Sequence, residues 1–565
     1  MRRSNKNNYR ATETLRFQIT QGLDYSLNPA YIKPENASRL HNFLYEKGSA
    51  TPIVRPAIKQ VTLDSIGADI TSLFHWIKDA STEYTLCIAN NELYYLDRAR
   101  AGFAAWVVTT AYVVDDERKN DGKGYICILA HTSSTNDEPG GTGDWKTYWR
   151  EDPLWIVQNA AGFAVDSSYR ARFLAFNQKC LIASGDQGLQ YWDGPGSYGT
   201  ITTGVTTIHP TVITEIGNRV VINGVNSGAE DAVFFSKIED HTGWTFTSVG
   251  GAVLIRTEFG SGMNVNAFGV FGNDLIVSKA SAHGQHLTRI AVGGDAYVSG
   301  ALTWKVKALF HSTGAKDYGI MENMDSQVAF ISQQGVELIT GSTPEYTELS
   351  IQPIGLLINN RLKENDQIEL KYLPALGSLW IVSSGTTTVH LWHPWAGFTA
   401  LDFDAEVGSV AQRDDNVLIA KGEYLYEFAT DDSTTDENPN GDDPNVYGVL
   451  RTKRIESIDS RTLVKAVEVN YVGVTSGTLS VDYVIAGITT NITEATLFAT
   501  APQGYEDFYL WQSDFFGSTH DFLGTSESTV LRTRGRKKVE DFALQVRTAG
   551  RCQINSIDCV YVIVN

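Results

Sequence analysis

One local pattern recurs along most of this chain: an apolar run, a two-residue polar turn, a second apolar run, then Gly. Examples are "LCIANNELYYLD" (Leu86–Asp97), "LAFNQKCLIASGDQGLQYWDG" (Leu174–Gly194) and "ITEIGNRVVINGV" (Ile213–Val225). The series continues through "AFGVFGNDLIVSKAS" (Ala267–Ser281), "VAFISQQGVELIT" (Val328–Thr340), "LPALGSLWIVSSGTTTVHLWH" (Leu373–His393) and "SVAQRDDNVLIAKGEYLYEF" (Ser409–Phe428). Turn pairs such as Asn-Gln, Gly-Asn and Asp-Asn between runs of Ile, Val, Leu and Tyr are the grammar of β-hairpins. Successive units lie roughly 40–55 residues apart, the period of a four-stranded propeller blade. The pattern therefore predicts an all-β protein whose residues 61–430 form a β-propeller of six or seven blades. A stack of sandwiches built from similar hairpins is the competing architecture.

The rest of the chain divides around that repeat. Residues 1–60 read as an N-terminal arm, with "NASRLHNFLYE" as a short helix capped by Asn36 and facing inward through Leu40, Phe43 and Leu44. Residues 431–445 ("DDSTTDENPNGDDPN") carry acids and no base, and read as a solvated linker or long loop. Alternation at Val467, Val469 and Tyr471, and again at Leu479, Val481 and Tyr483, makes residues 446–565 a C-terminal β-sandwich. Residues 106–152 interrupt the propeller as a small inserted β module.

Composition narrows the function. A formal net charge of −19 opposes adhesion to duplex DNA. The five cysteines have no CxxC spacing and are expected to be reduced thiols from a cytosolic assembly site. The basic start lacks a following apolar segment, which argues against a secretory signal, and no apolar run reaches the ~20 residues of a membrane helix. A soluble protein without a membrane span is expected.

Motifs of catalysis are missing: HExxH, GxSxG, a phosphate-binding Walker loop and a strand-to-helix GxGxxG do not occur. No enzymatic activity and no cofactor are expected. His283 and His286 stand three apart in "SAHGQHLTR" without a Cys or carboxylate pair, and read as a surface loop rather than a metal site. Asp436, Asn438 and Asn440 match the first half of a Ca²⁺ loop, but Tyr447 stands where the bidentate Glu belongs. They are a weak calcium candidate. Arg532, Arg534, Arg536, Lys537 and Lys538 form a dense basic run, read as an exposed hairpin tip or as an assembly contact with an acidic neighbour.

The insert concentrates Tyr125, His131, Trp145, Tyr148 and Trp149 around Gly/Pro-rich loops. Two readings apply. The rings form the core of a small module, or they form a platform that stacks on the apolar face of a sugar.

The residues Gly22-Leu23, Pro34, Asn42 and Arg55-Pro56, then "YWDGP" at Tyr191–Pro195, and Phe235, Ser236, Asp240 and Trp244 before Leu275–Val277, together resemble podovirus tail nozzle proteins. These are also called packaged-DNA stabilisation or tail-tube hub proteins. Within the insert, Gly124-Tyr125, "HTSS" at His131–Ser134, Pro139 and Trp145 resemble small carbohydrate-binding modules of the chitin-binding type. The first resemblance implies a virion tail protein assembled in the host cytoplasm. It implies a homo-hexameric ring below the adaptor (head-to-tail connector) that extends the DNA channel, retains the packaged genome and passes it at ejection. Implied partners are the adaptor, tail fibre or needle proteins and transiently passing double-stranded DNA. The second adds host surface glycan, and with it an alternative function as a glycan-binding tail adhesin. A propeller glycosidase is a third hypothesis.

Overall fold

The computed structural model describes residues 13–564 except 26–30, 101, 159–164, 167, 202–203, 205–207, 225–229, 247–250, 258–262, 282, 299–300, 311, 342–348, 356–357, 359–361, 363–367, 431–432, 440, 442, 457–460, 474–476, 486–487, 498–508, 511–519, 526–527, 534–536, 540 and 550. The hairpin grammar is realised as type I′-like turns. Asn90-Asn91 and Asn177-Gln178 hold both central residues at positive φ (48° and 59°, 47° and 56°), as do Gly217 and Asn218 (both 55°). That backbone matches the right-handed twist of the strands it joins.

Among the described residues the hairpins build seven blades of four antiparallel strands, six as separate sheets and one within a ten-stranded sheet. Blade 1 comprises Ile70–Asp79, Thr82–Ala89, Glu92–Asp97 and, after the insert, Leu154–Val157. Blade 2 runs from Arg172–Phe176 to Ser197–Thr200 and blade 3 from Ile213–Ile216 to Val253–Arg256. Blade 4 runs from Met263–Phe271 to Ala301–Phe310, blade 5 from Met321–Met324 to Ser350–Pro353, and blade 6 from Ile368–Leu373 to Gly397–Asp402. Blade 7 takes three strands from Val407–Arg413, Asn416–Lys421 and Tyr424–Phe428, and its fourth, Ile58–Gln60, from the N-terminal region. Each blade's first strand touches that of the next, and blade 7 returns to blade 1, closing a ring. The chain is a seven-bladed all-β propeller.

The terminal regions are not appendages. Two sheets face each other across a shared core that contains Phe17, Phe43, Val469, Val481, Leu544 and Ile557. One sheet pairs Glu13–Phe17 with Cys552–Val564, which in turn pairs with Arg461–Gly473. The other extends blade 6: Gly397–Asp402 pairs with Arg39–His41, followed by Tyr447–Arg451, Asp541–Ala549, Gly477–Ile485 and Ile488–Leu497. The propeller and the sandwich therefore share one continuous sheet.

Two expectations are corrected here. The segment from Asn36 to Glu46 is no helix but two short strands, Arg39–His41 and Phe43–Tyr45, the second buried at all three positions. Asn42, at φ 60°, breaks any helical continuity, and sheet pairing on both sides overrides the apolar spacing. Of the two readings of the acidic stretch, linker or long loop, it is a loop, and one of its acids is not solvated. Thr435 bridges Asn445 within the loop, while buried Asp436 accepts the Ile58 N–H and Asn438 accepts from Lys421, pinning the loop to the propeller.

Candidate functional site

The insert leaves blade 1 after Asp97 and re-enters it at Leu154. It folds as a four-stranded sheet, in the order Trp149–Glu151, Lys123–Cys127, Glu117–Asn120 and Ala104–Ala105, beside a small ribbon pairing Ala111–Tyr112 with His131–Thr132. Its base is tied down by charge. Arg100 meets Asp152 at 2.5 Å, Arg98 and Lys123 share Glu151, and Arg150 reaches Glu437 at 2.9 Å while donating to the Gln60 carbonyl. Since Gln60 lies in the strand that closes the propeller, these contacts fix the module to the ring rather than to blade 1 alone.

The predicted glycan residues divide by burial. Tyr125 and Trp149 are fully buried and, with Tyr112 and Cys127, form the module's core. Burial also pushes the Tyr125 hydroxyl to a much higher pKa than usual. His131 is enclosed as well, edge-on to Trp149 at 5.5 Å and beside Tyr148 at 4.4 Å, with Nε2 3.3 Å from Asp137. Tyr125 and Trp149 are core residues and are withdrawn from the sugar platform, and the His131 side chain is enclosed against that core and is withdrawn with them. Trp145 and Tyr148 remain half-buried at its surface; Trp145 packs edge-on against Tyr125, with centroids 5.5 Å apart.

What sequence reasoning missed lies beside them. Val107, Val108, Val113, Val114, Ile128 and Leu129 are all exposed, Val113 at 62%. The Asp115 N–H donates to the Cys127 carbonyl and so sets the Val113-Val114 doublet beside Ile128-Leu129, and the Ile128 N–H donates to the Tyr148 carbonyl, setting that doublet beside the Tyr148 ring. The signal was the aliphatic pairs themselves, placed in loops where turn residues are expected. The result is a rigidly mounted module with an apolar, solvent-facing rim next to two partly exposed rings.

The calcium candidates are otherwise engaged. Both Asp436 oxygens accept from Arg55, Oδ1 at 2.9 Å and Oδ2 at 2.5 Å, and Oδ1 also accepts the Ile58 N–H. Asn438 accepts from Lys421 Nζ at 2.9 Å, and Asn440 lies outside the described residues. Asp436 is therefore a buried ion-pair partner and not a cation ligand. Of the basic run, Arg532 pairs in register with Glu468, and Lys537 and Lys538 with Val464 and Leu463, so this stretch is built into the sandwich sheet. Arg534 and Arg536 lie outside the described residues.

The motif residues prove to be structural fasteners. Gly22 sits at φ +68° against blade 6, where a Cβ would lie 2.3 Å from the Phe398 carbonyl oxygen. Arg55 is 1% exposed and binds Asp436, the Asn42 side chain and the carbonyls of Pro56 and Asp402, with its guanidinium over the Phe403 ring. In "YWDGP", Trp192 is buried against Trp76 and Tyr84 of blade 1, while Asp193 pairs with Lys78 at 2.9 Å and with Lys179. Ser236 accepts the Val220 N–H, and Trp244 is buried with its indole N–H on the His241 carbonyl. All five cysteines are free and buried, and burial pushes the thiols of Cys552 and Cys559 up to about 12.

No family model and no curated protein matches the chain. Among solved structures it is similar to BamB from Moraxella catarrhalis (10% identity, 68% of this chain and 94% of that one, TM-score 0.33). It is also similar to an inactive virginiamycin B lyase from Staphylococcus aureus with quinupristin (10%, 66% and 98%, TM-score 0.37). A third similarity is to the extracellular domain of the putative one-component system BT4673 from B. thetaiotaomicron (11%, 88% and 61%, TM-score 0.36).

Proposed function

We propose that this chain is a structural bacteriophage tail protein whose copies form a ring-shaped nozzle below the head-to-tail adaptor. The ring extends the DNA channel, holds the packaged genome and lets it pass at ejection, with no catalytic turnover. The observation that carries this reading is where the nozzle-like motifs fall. Gly22, Asn42, Arg55 and the Trp192–Asp193 pair tie the N-terminal region to the propeller and adjacent blades to each other. A wall that bears the pressure of packed DNA needs such rigidity, and a net charge of −19 favours passage without adhesion. Electron microscopy of the chain mixed with its adaptor tests the reading. A sixfold ring coaxial with the adaptor is expected; a chain that stays monomeric beside it, or that maps away from the tail of the intact particle, overturns it.

A second reading, a glycan-binding tail adhesin, is favoured by one feature: Trp145 and Tyr148 stand partly exposed beside the apolar rim. On this reading Trp145→Ala abolishes binding to host surface polysaccharide.

A further inference from the structure

Between blades 4 and 5 lies a cavity of about 430 Å³, remote in sequence from the insert. Its walls are the turn before His286, the crossover through Thr313, and the Gln333-Gln334 turn; Met263 and Leu287, both largely buried, lie among its lining residues. The volume falls within the ~300–1,000 Å³ usual for small-molecule sites. None of the described lining residues is Lys, Arg, Asp or Glu.

The hydrogen bonds around it fix the polarity. His286 Nδ1 lies 2.9 Å from the Ala315 carbonyl oxygen, which can only accept, so Nδ1 carries the proton. Nε2 lies 3.0 Å from Gln333 Nε2; it serves as the acceptor, and Gln333 must present its NH₂ group there. The same NH₂ donates to the Gly284 carbonyl at 3.2 Å. Both amide hydrogens are thus spent, and the Gln333 carbonyl oxygen is left for a ligand. Thr313 is oriented in the same sense. Its hydroxyl proton goes to buried Glu337 at 3.1 Å, leaving lone pairs to accept.

We infer that this cavity binds an uncharged polyhydroxylated ligand, a neutral sugar, independently of the insert. Oriented acceptors at Gln333 and Thr313 call for a ligand that brings donors, and phosphate, sulfate or carboxylate would find no Lys or Arg among the described lining residues to offset its charge. No carboxylate is among the described lining residues to attract an ammonium group. The pair His283 and His286, read from sequence as a surface loop, includes one residue with a defined duty: His286 is a positioning residue that sets the Gln333 amide.

The test is an array of neutral, sialylated and sulfated oligosaccharides probed with the full chain, followed by calorimetry on the strongest neutral hit. Gln333→Met, on an exposed turn, should weaken that hit about tenfold, as loss of hydrogen bonds worth about 1.4 kcal/mol implies. Trp145→Ala should leave it unchanged. Binding confined to charged glycans, no binding at all, or binding that survives Gln333→Met but is lost with Trp145→Ala overturns the inference. The last outcome would credit the insert instead.

Discussion

The joint between termini and propeller and the insert on blade 1 are both built from residues that stand out in the chain, and they use them in opposite ways. At the joint, polar residues are drawn inward: Arg55, Asp436 and Asn42 are buried and bonded to one another or to backbone. In the insert, aromatic residues are drawn inward and aliphatic ones are left outside. The first arrangement is rigid because each charge is satisfied only in one geometry. The second leaves an apolar surface that water does not favour, and such surfaces mark contact sites. A single chain thus combines a joint closed by buried polar contacts with a module that leaves aliphatic side chains in water.

The contrast breaks most visibly at the ion pair. Asp436→Ala strands a buried guanidinium and should destabilise the fold by about 3–5 kcal/mol. The closing strand of blade 7 should loosen with it, because Asp436 also holds the Ile58 N–H. Denaturant unfolding with hydrogen exchange at residues 58–60 checks both effects; wild-type protection there would mean that the joint is not held by charge. Trp149→Ala removes a fully buried indole and should cost a similar amount, about 3–5 kcal/mol, but within the insert alone. Exchange protection in blades 2 to 6 should be unchanged in that variant.

How much of this was legible follows from the range of each interaction. Asn90-Asn91 and Gly217-Asn218 announce their turns because positive φ is a local demand that few residue types meet. The blades followed from them, and so did the propeller. Arg55 and Asp436 are 381 positions apart, and no local pattern records that they pair. The spacing of Leu40, Phe43 and Leu44 imitates a helical face, yet the segment is claimed by strands from blade 6 and from the C-terminal region. Tyr125 and Trp145 illustrate the limit at the candidate site. Both are aromatic and belong to the same Gly-rich insert, and only packing decides that one is core and the other half-exposed.

A smaller effect sharpens the picture at the joint. His393 of blade 6 is fully enclosed, with Tyr45 edge-on at 5.3 Å, and burial pushes its pKa down to about 3. An unfolded His titrates near ~6.5, so the unfolded chain takes up a proton that the folded chain refuses. The associated stability is complete above the unfolded value and declines as pH falls below it. Between pH ~6.5 and ~5 the loss should reach about 2 kcal/mol. His393→Phe should flatten that part of the stability–pH curve in urea titrations; an unchanged slope would show that the acid sensitivity originates elsewhere.

The smallest expected change is the one that most directly separates the two regions. Val113→Ser and Ile128→Ser remove exposed methyl groups from the insert's rim. Water already reaches much of these side chains, so little transfer free energy is at stake, and stability should stay within about 0.5 kcal/mol of the parent. A fall above about 1 kcal/mol would mean that the rim is packed as a core and that the insert is as closed as the joint. Unchanged stability together with weakened binding to a tail partner or host polysaccharide would place the rim's purpose outside the fold. Residues spared by folding are then the ones available for contact, whereas the joint keeps none of Arg55, Asn42 or Asp436 in reserve.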